Sequence, residues 1–290
     1  MPHFALEAAI DRVKHGSSSV ELIHTAHPHW PRLPTASPSP WPLRIAVLDS
    51  SFNPPTRAHL ALALSPSLFA DEPYDARLLL LSVRNADKQL KPGDATFAQR
   101  IEMMLLLARD MGDANVAVGI LDAPTFVGKS TTLLSYLHGR LSSAADSPQD
   151  PPRKVQLTFL QGFDTLERLL APRYYGTVEN MRAALARFFS PDGDDSRVVC
   201  ARRIMADVPE SAEREREVLE PVKNVLSSRS IVYFDIGDIE KTFSSSEVRW
   251  KVSQADESWR AMVSPNIARY TEEQKLYGFS SQSSLRERNL

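Results

Sequence analysis

The chain has 290 residues, 42% of them hydrophobic and 24% charged, with 34 Lys and Arg against 36 Asp and Glu and a formal charge of -2. That composition predicts an ordered, core-forming protein of one large or two small domains. The balanced charge argues against a mainly electrostatic binder of nucleic acid or membrane, and the single cysteine, Cys200, excludes an internal disulfide and argues against a Cys-rich zinc site.

In chain order, Leu6, Ala9, Ile10 and Val13 fall at helical spacing and predict a short helix over about 3–14. Glu7 and Asp11 interrupt this stretch where a secretory signal needs uninterrupted apolar residues. No run approaches the roughly 18 apolar residues of a membrane span. The expectation is a soluble protein of a reducing compartment, cytoplasmic and/or nuclear. A Ser run follows, and then residues 27–42, where eight of sixteen are Pro or Ser, read as an extended linker. Residues 1–42 are therefore expected to be an extension. Five of the seven histidines lie in it, but without the Cys or clustered carboxylates that would make a metal site.

From Leu43 onward, strands and helices alternate. Apolar runs at 43–49, 76–83, 115–121, 154–162, 197–202 and 230–236 predict six strands, most of them buried on both faces. Helical patterns at about 59–65, 95–111, 130–141, 164–171, 177–189 and 210–226 fall between or after them, with short helical segments to about Tyr277. Residues 142–152 are a polar, Pro-containing loop, and the last dozen residues are a frayed tail. The Glu and Arg run within 210–226 is a solvated helix face. The predicted architecture is a doubly wound, mostly parallel α/β sheet over 43–278 with a small helical C-terminal part, followed by a flexible tail at 279–290. Cys200 and the four tryptophans, Trp30, Trp41, Trp250 and Trp259, are expected as packing groups, with Trp250 also placed to shape a pocket beside Arg249.

In such a sheet, ligands bind beyond the carboxyl ends of the strands where the strand order reverses. The first strand runs into Asp49-Ser50-Ser51-Phe52-Asn53-Pro54-Pro55-Thr56-Arg57-Ala58-His59. Ser50 and Ser51 are small enough to let backbone N–H groups approach a ligand. Thr56 and His59 share the first turn of the next helix, whose start favours anions. The alternative is that Asn53 and Thr56 merely cap the helix and His59 packs beneath it. The second segment, Phe243-Ser244-Ser245-Ser246-Glu247-Val248-Arg249, opens another helix with three hydroxyls and an Arg one turn on, again an anion site or an ordinary capped helix. Neither a Walker A motif nor a GxGxxG fingerprint is present.

Together, SFNPPTRAH and SSSEVR resemble the two signatures of the nucleotidyltransferase superfamily, and within it the nicotinamide and nicotinate mononucleotide adenylyltransferases, of a divergent fungal branch. Lys88 with Lys91-Pro92-Gly93, then Ala98-Gln99-Arg100, resemble that family's lysine loop and following helix. Gly162-Phe163-Asp164 resembles its Gly-Ala-Asp segment, Tyr175 falls near a ring-stacking Trp, Val199 to Arg202 resembles its strand ending in Arg, and Pro265 to Tyr277 resembles its C-terminal tail. Three departures stand out: Ser50 and Ala58 occupy positions where the family usually has Gly, and the Trp-Glu segment expected near 122–126 is missing.

The resemblance implies a Rossmann-like fold and transfer of the adenylyl group of ATP to a nicotinamide or nicotinate mononucleotide, giving the dinucleotide and pyrophosphate. In it, His59 would hydrogen-bond the α-phosphate. Thr56 and the Ser51 and Phe52 backbone would hold the triphosphate, with Lys88 or Lys91 adding positive charge. Ser244, Ser245, Ser246 and Arg249 would hold the β- and γ-phosphates. Asp164 would bind ribose hydroxyls or hydrated Mg²⁺, or else simply cap a helix, and Tyr175 would stack on the acceptor ring. Mg²⁺ would ride on the phosphates with no direct protein ligand. Two other readings remain at this point: a related transferase with another acceptor, and a nucleotide-binding interaction protein that has lost transfer.

Overall fold

The computed structural model describes residues 3–32, 41–69, 73–84, 92–143, 154–202 and 211–280. Within them lies one seven-stranded sheet: β1 (Val20–Thr25), β2 (Leu43–Asp49), β3 (Ala76–Ser82), β4 (Val116–Leu121), β5 (Val155–Gly162), β6 (Arg197–Ala201) and β7 (Ile231–Phe234). The spatial order is β1-β4-β3-β2-β5-β6-β7. Strands β2 to β7 are mutually parallel, and β1 pairs antiparallel with β4 at one edge.

The apolar runs form strands because both of their faces are covered. Ile45 and Val47 pack into one layer with Phe159 and Leu133, while Ala46 and Leu48 pack into the other with Ile101 and Met104. The first layer holds α4 (Phe126–Ser143), α5 (Phe163–Leu169) and α6 (Val178–Phe189). The second holds α1 (His3–Lys14), α2 (Arg57–Ala63) and α3 (Phe97–Asp110). A charged α7 (Ser211–Leu219) ends in a tight turn over 220–222 that includes Pro221, well short of the expected 226. The C-terminal part, with α8 (Ser245–Ser253) and α9 (Pro265–Glu273), buries Val248, Trp259, Ile267 and Tyr277 in a third cluster against Ala95 and Met103. It is pinned to α3 by the bond from Asn266 Nδ2 to Asp110 (2.6 Å) and by that from Tyr270 to Glu102.

The strand order reverses between β2 and β5, since β3 and β4 lie to one side of that pair and β6 and β7 to the other. This reversal opens a crevice beyond the carboxyl ends of β2 and β5.

Several expectations change. The sheet has seven strands rather than six, and the extra one, β1, lies in the presumed extension. Its residues Val20 to Thr25 do not alternate cleanly, because the register with β4 shifts between Leu22 and His24. Residues 27–32 are not an extended linker. Trp30 is only 1% exposed, and its carbonyl accepts from Arg140 Nε at 2.9 Å while the Pro31 carbonyl accepts from Asn115 Nδ2 at 2.9 Å. Residues 33–40, most of the loop at 142–152 and residues 281–290 of the tail lie outside the described residues. Trp259 is buried as expected, but Trp41 and Trp250 are 65% and 60% exposed and are not core groups. The side chain of Trp250 lies on the outer face of α8, between the buried Val248 and Val252, and does not line the cavity described below. Cys200 is buried in β6, where burial pushes its thiol up to about 12.

Candidate active site

A cavity of about 1060 Å³ fills the crevice. Its floor is the end of β2. There the Ser50 N–H continues the ladder to the Leu80 carbonyl (3.2 Å), after which Phe52 turns the chain with φ of 44° and buries its ring completely. Thr56 then caps α2, which places His59 in the first turn of the helix. The Thr56 N–H donates to His59 Nδ1 (3.1 Å), Thr56 Oγ1 lies 2.9 Å from the same nitrogen, and His59 Nε2 lies 2.9 Å from Ser50 Oγ. The Phe52 ring sits 5.6 Å from the imidazole, centroid to centroid. His59 thus faces the cavity, and the alternative of a histidine simply packed beneath its helix does not hold.

The second segment docks on the first. Ser244 caps α8 by accepting from the Glu247 N–H (3.1 Å), and Ser245 Oγ donates to the Pro54 carbonyl (2.8 Å). Arg249 donates to the Asn53 carbonyl (2.6 Å) and to Ser246 Oγ (3.3 Å). Ser51, His59, Asp164, Tyr175, Ser244, Ser245, Ser246 and Arg249 all line the same cavity. The expected pair of segments therefore meets in space, although most of the chain separates them in sequence.

Other expected residues stand differently. Thr56 and Phe52 are buried and not among the residues that line the cavity, and their side chains lie against the His59 ring. Lys88 and Lys91 lie outside the described residues. Asp164 is the second residue of α5, and Gly162 rather than Asp164 is the N-cap, so the simple capping role does not apply. The Tyr175 hydroxyl donates to the Leu169 carbonyl (2.7 Å), which fixes the ring at the cavity wall, and burial raises its pKa above the ordinary tyrosine range.

Spacing alone missed several polar groups of the cavity. Lys129 forms a buried ion pair with Asp49 at the end of β2, and its ammonium lies 4.8 Å from the Phe126 ring centroid. The signal was a lysine on the buried, mostly apolar stripe of α4, which carries Phe126, Leu133, Leu134 and Leu137. A buried lysine calls for a partner. Asp94 sits between Arg100 and Arg249, 3.6 Å from each, and accepts from Asn53 Nδ2 at 2.8 Å. Burial lowers the pKa of Arg100, and the nearby Asp94 carboxylate opposes that shift. Arg168 and Arg173 add two further cations to the β5 side of the wall. No group of three or more His, Cys, Asp or Glu that could hold a metal ion occurs among the described residues, and no described helix is long and apolar enough to cross a membrane.

Comparison with known proteins follows the same line. Over 183 residues, 63% of this chain, the sequence is 34% identical to the "Putative nicotinamide mononucleotide adenylyltransferase" of Schizosaccharomyces pombe, and the match spans 61% of that protein. No family model matches the chain. The fold matches the Plasmodium falciparum nicotinic acid mononucleotide adenylyltransferase complexed with APC at a TM-score of 0.53 and 14% identity, covering 82% of this chain and 98% of that one. The chain has the fold of the mononucleotide adenylyltransferases. The same Plasmodium enzyme complexed with NaAD matches at a TM-score of 0.50, again 14% identical with 82% and 98% covered. In that adenylyltransferase fold the doubly wound sheet and helical C-terminal part agree with the expected fold class, and the cavity lies where a doubly wound sheet binds its ligand.

Proposed function

We propose that the protein transfers the adenylyl group of ATP to the 5′-phosphate of nicotinamide or nicotinate mononucleotide. One oxygen of the acceptor phosphate attacks the α-phosphorus of ATP. The bond from that phosphorus to the α,β-bridging oxygen breaks, and pyrophosphate leaves with the electron pair. The acceptor is already anionic at neutral pH, so the protein needs no general base, and the rate comes from positioning and from neutralising charge.

The observation that carries this reading is the meeting of His59 and Arg249 at one cavity. Each arrives from the first turns of its own helix, and Ser244, Ser245 and Ser246 line the same cavity. His59 acts at the α-phosphate, where charge shifts in the transition state. Arg249 and the serines take the β- and γ-phosphates, as a planar guanidinium suits adjacent anionic oxygens. Ser51 lines the loop that the triphosphate crosses, and Lys88 or Lys91 supplies further positive charge. Asp164, Arg168, Tyr174 and Tyr175 form the acceptor side beyond β5. Mg²⁺, carried on the phosphate oxygens, would add charge neutralisation, and Asp164 fits a hydrogen bond to its water shell.

The test is direct. Purified protein is incubated with ATP, Mg²⁺ and either mononucleotide, and dinucleotide and pyrophosphate are measured. Both products should form in equal amounts, and His59→Ala should lower kcat by about 10²–10³-fold with little change in ATP affinity. A folded wild-type protein that forms no dinucleotide from either acceptor would overturn this reading.

A further inference from the structure

Ser50 is the first residue past β2, its backbone fixed by the ladder bond to Leu80 and its side chain at the cavity. The hydrogen between Ser50 Oγ and His59 Nε2 is assigned by the other side of the ring. Nδ1 accepts from the Thr56 backbone N–H, a donor that cannot reverse its role. A neutral imidazole that accepts at Nδ1 carries its proton on Nε2. That N–H therefore donates to Ser50 Oγ across 2.9 Å. The buried Phe52 ring and Thr56 Oγ1 hold this orientation.

Two consequences follow. An imidazole already protonated at Nε2 cannot take the Ser50 proton, so this pair is in the wrong tautomer for a serine nucleophile. The Ser50 hydroxyl, having accepted from His59, keeps its own hydrogen to donate toward the cavity. The complementary ligand group is a hydrogen-bond acceptor, and beside Arg100 and Arg249 on the same cavity wall the anionic oxygen of a phosphoryl group is the acceptor that fits.

We propose that Ser50 is a further phosphate-contacting residue, which donates its hydroxyl hydrogen to a phosphoryl oxygen of the bound nucleotide, and that His59, whose one N–H it accepts, acts on that phosphate through the Ser50 hydroxyl rather than by direct contact. The identity of that phosphate rests on the adenylyl-transfer reading. The hydrogen-bond chain from Thr56 through His59 to Ser50 does not.

The test is a double-mutant cycle of Ser50→Ala and His59→Ala, with kcat, KM and melting temperature measured on all four proteins. Ser50→Ala should lower kcat at least tenfold with KM for ATP within about threefold, and the double variant should be no worse than about threefold below the poorer single one. Wild-type kcat in Ser50→Ala, or losses that multiply in the double variant, would overturn the proposal. If Ser50→Ala loses its fold, Ser50→Gly carries the same cycle. In ¹⁵N-labelled protein, the His59 ring should read as the Nε2–H tautomer, and an Nδ1–H ring would also overturn it. If the wild-type protein forms no dinucleotide, the functional reading fails by itself. The His59 tautomer, which needs no turnover, then decides the hydrogen-bond chain by itself: an Nε2–H ring supports it and an Nδ1–H ring refutes it.

Discussion

Trp30→Ala separates two views of the N-terminal segment. If residues 27–42 were a linker, the substitution would be neutral. In the structure, Trp30 is 1% exposed, belongs to the same cluster as Val20, Leu137 and Leu141, and its Nε1 lies 3.4 Å from the Asn115 carbonyl. Truncating a buried tryptophan to alanine costs about 3–5 kcal/mol, from lost transfer energy and the cavity left behind. For domains somewhat smaller than this one, each kcal/mol shifts the melting temperature by about 2–4 °C. The expected fall is therefore about 6–20 °C by circular dichroism or calorimetry. Trp41→Ala is the matched control: Trp41 is 65% exposed, so its loss should stay within about 0.5 kcal/mol. Trp30 does not line the cavity, so kcat at low temperature should be unchanged in both variants. A Trp30→Ala protein that melts within a degree or two of the wild type would refute the assignment of this segment to the core. On the same reasoning, deleting residues 1–40 should cost far more than any single substitution, because β4 would lose its edge partner.

Further outcomes follow from the site. Arg249→Lys should weaken ATP binding and lower kcat/KM while leaving acceptor KM nearly unchanged, since a lysine cannot replace the separate bonds that Arg249 makes to Asn53 and Ser246; steady-state kinetics with each substrate varied would check this. Tyr175→Ala should raise acceptor KM about tenfold through lost stacking, whereas Tyr175→Phe, which keeps the ring but loses the bond to Leu169, should cost only about 1 kcal/mol of stability; equal KM values in all three proteins would remove Tyr175 from the acceptor site. Cys200 should resist iodoacetamide at pH 8 until the protein is unfolded, because burial holds the thiol protonated. The sign is fixed by the raised pKa. This group's contribution to stability is complete below the unfolded thiol value of about 8.5 and is lost as pH rises toward 12.

The fold was legible wherever burial on both faces forced an uninterrupted apolar run, as in Leu78 to Leu81 and Val116 to Leu121. It was illegible at β1, where one face is half exposed and a register shift breaks the alternation. The place of His59, Ser244 to Ser246 and Arg249 at helix starts was legible from the capping residues around them, and the fold brings both starts to one cavity. Spacing did not show that Thr56 and Phe52 would be buried behind the imidazole, since that depends on how tightly the Asn53 to Pro55 turn folds under α2. Lys129 was hidden by a helix expected to begin at Ser130, when α4 begins at Phe126 and carries Lys129 on its buried side. Asp94 gained its place only once α3 and α8 were packed together, which brings Arg100 and Arg249 to the same carboxylate.

The pairing of β1 with β4 has a consequence for synthesis. Val20 pairs with Leu121 and Thr25 with Ala117, so the edge strand leaves the ribosome about a hundred residues before its partner. At roughly 5–20 residues per second, that is a wait of about 5–20 s. During this interval Leu6, Ile10, Val13 and Trp30 have no core to enter, because the surfaces that cover them are built from α3, β4 and α4. Ribosome-bound chains stalled before residue 116 should lose the segment to mild proteolysis, and chains stalled well past residue 143 should keep it. This segment, made well before its partners, is thus sheltered late, and a chaperone that holds nascent apolar segments has its opening there.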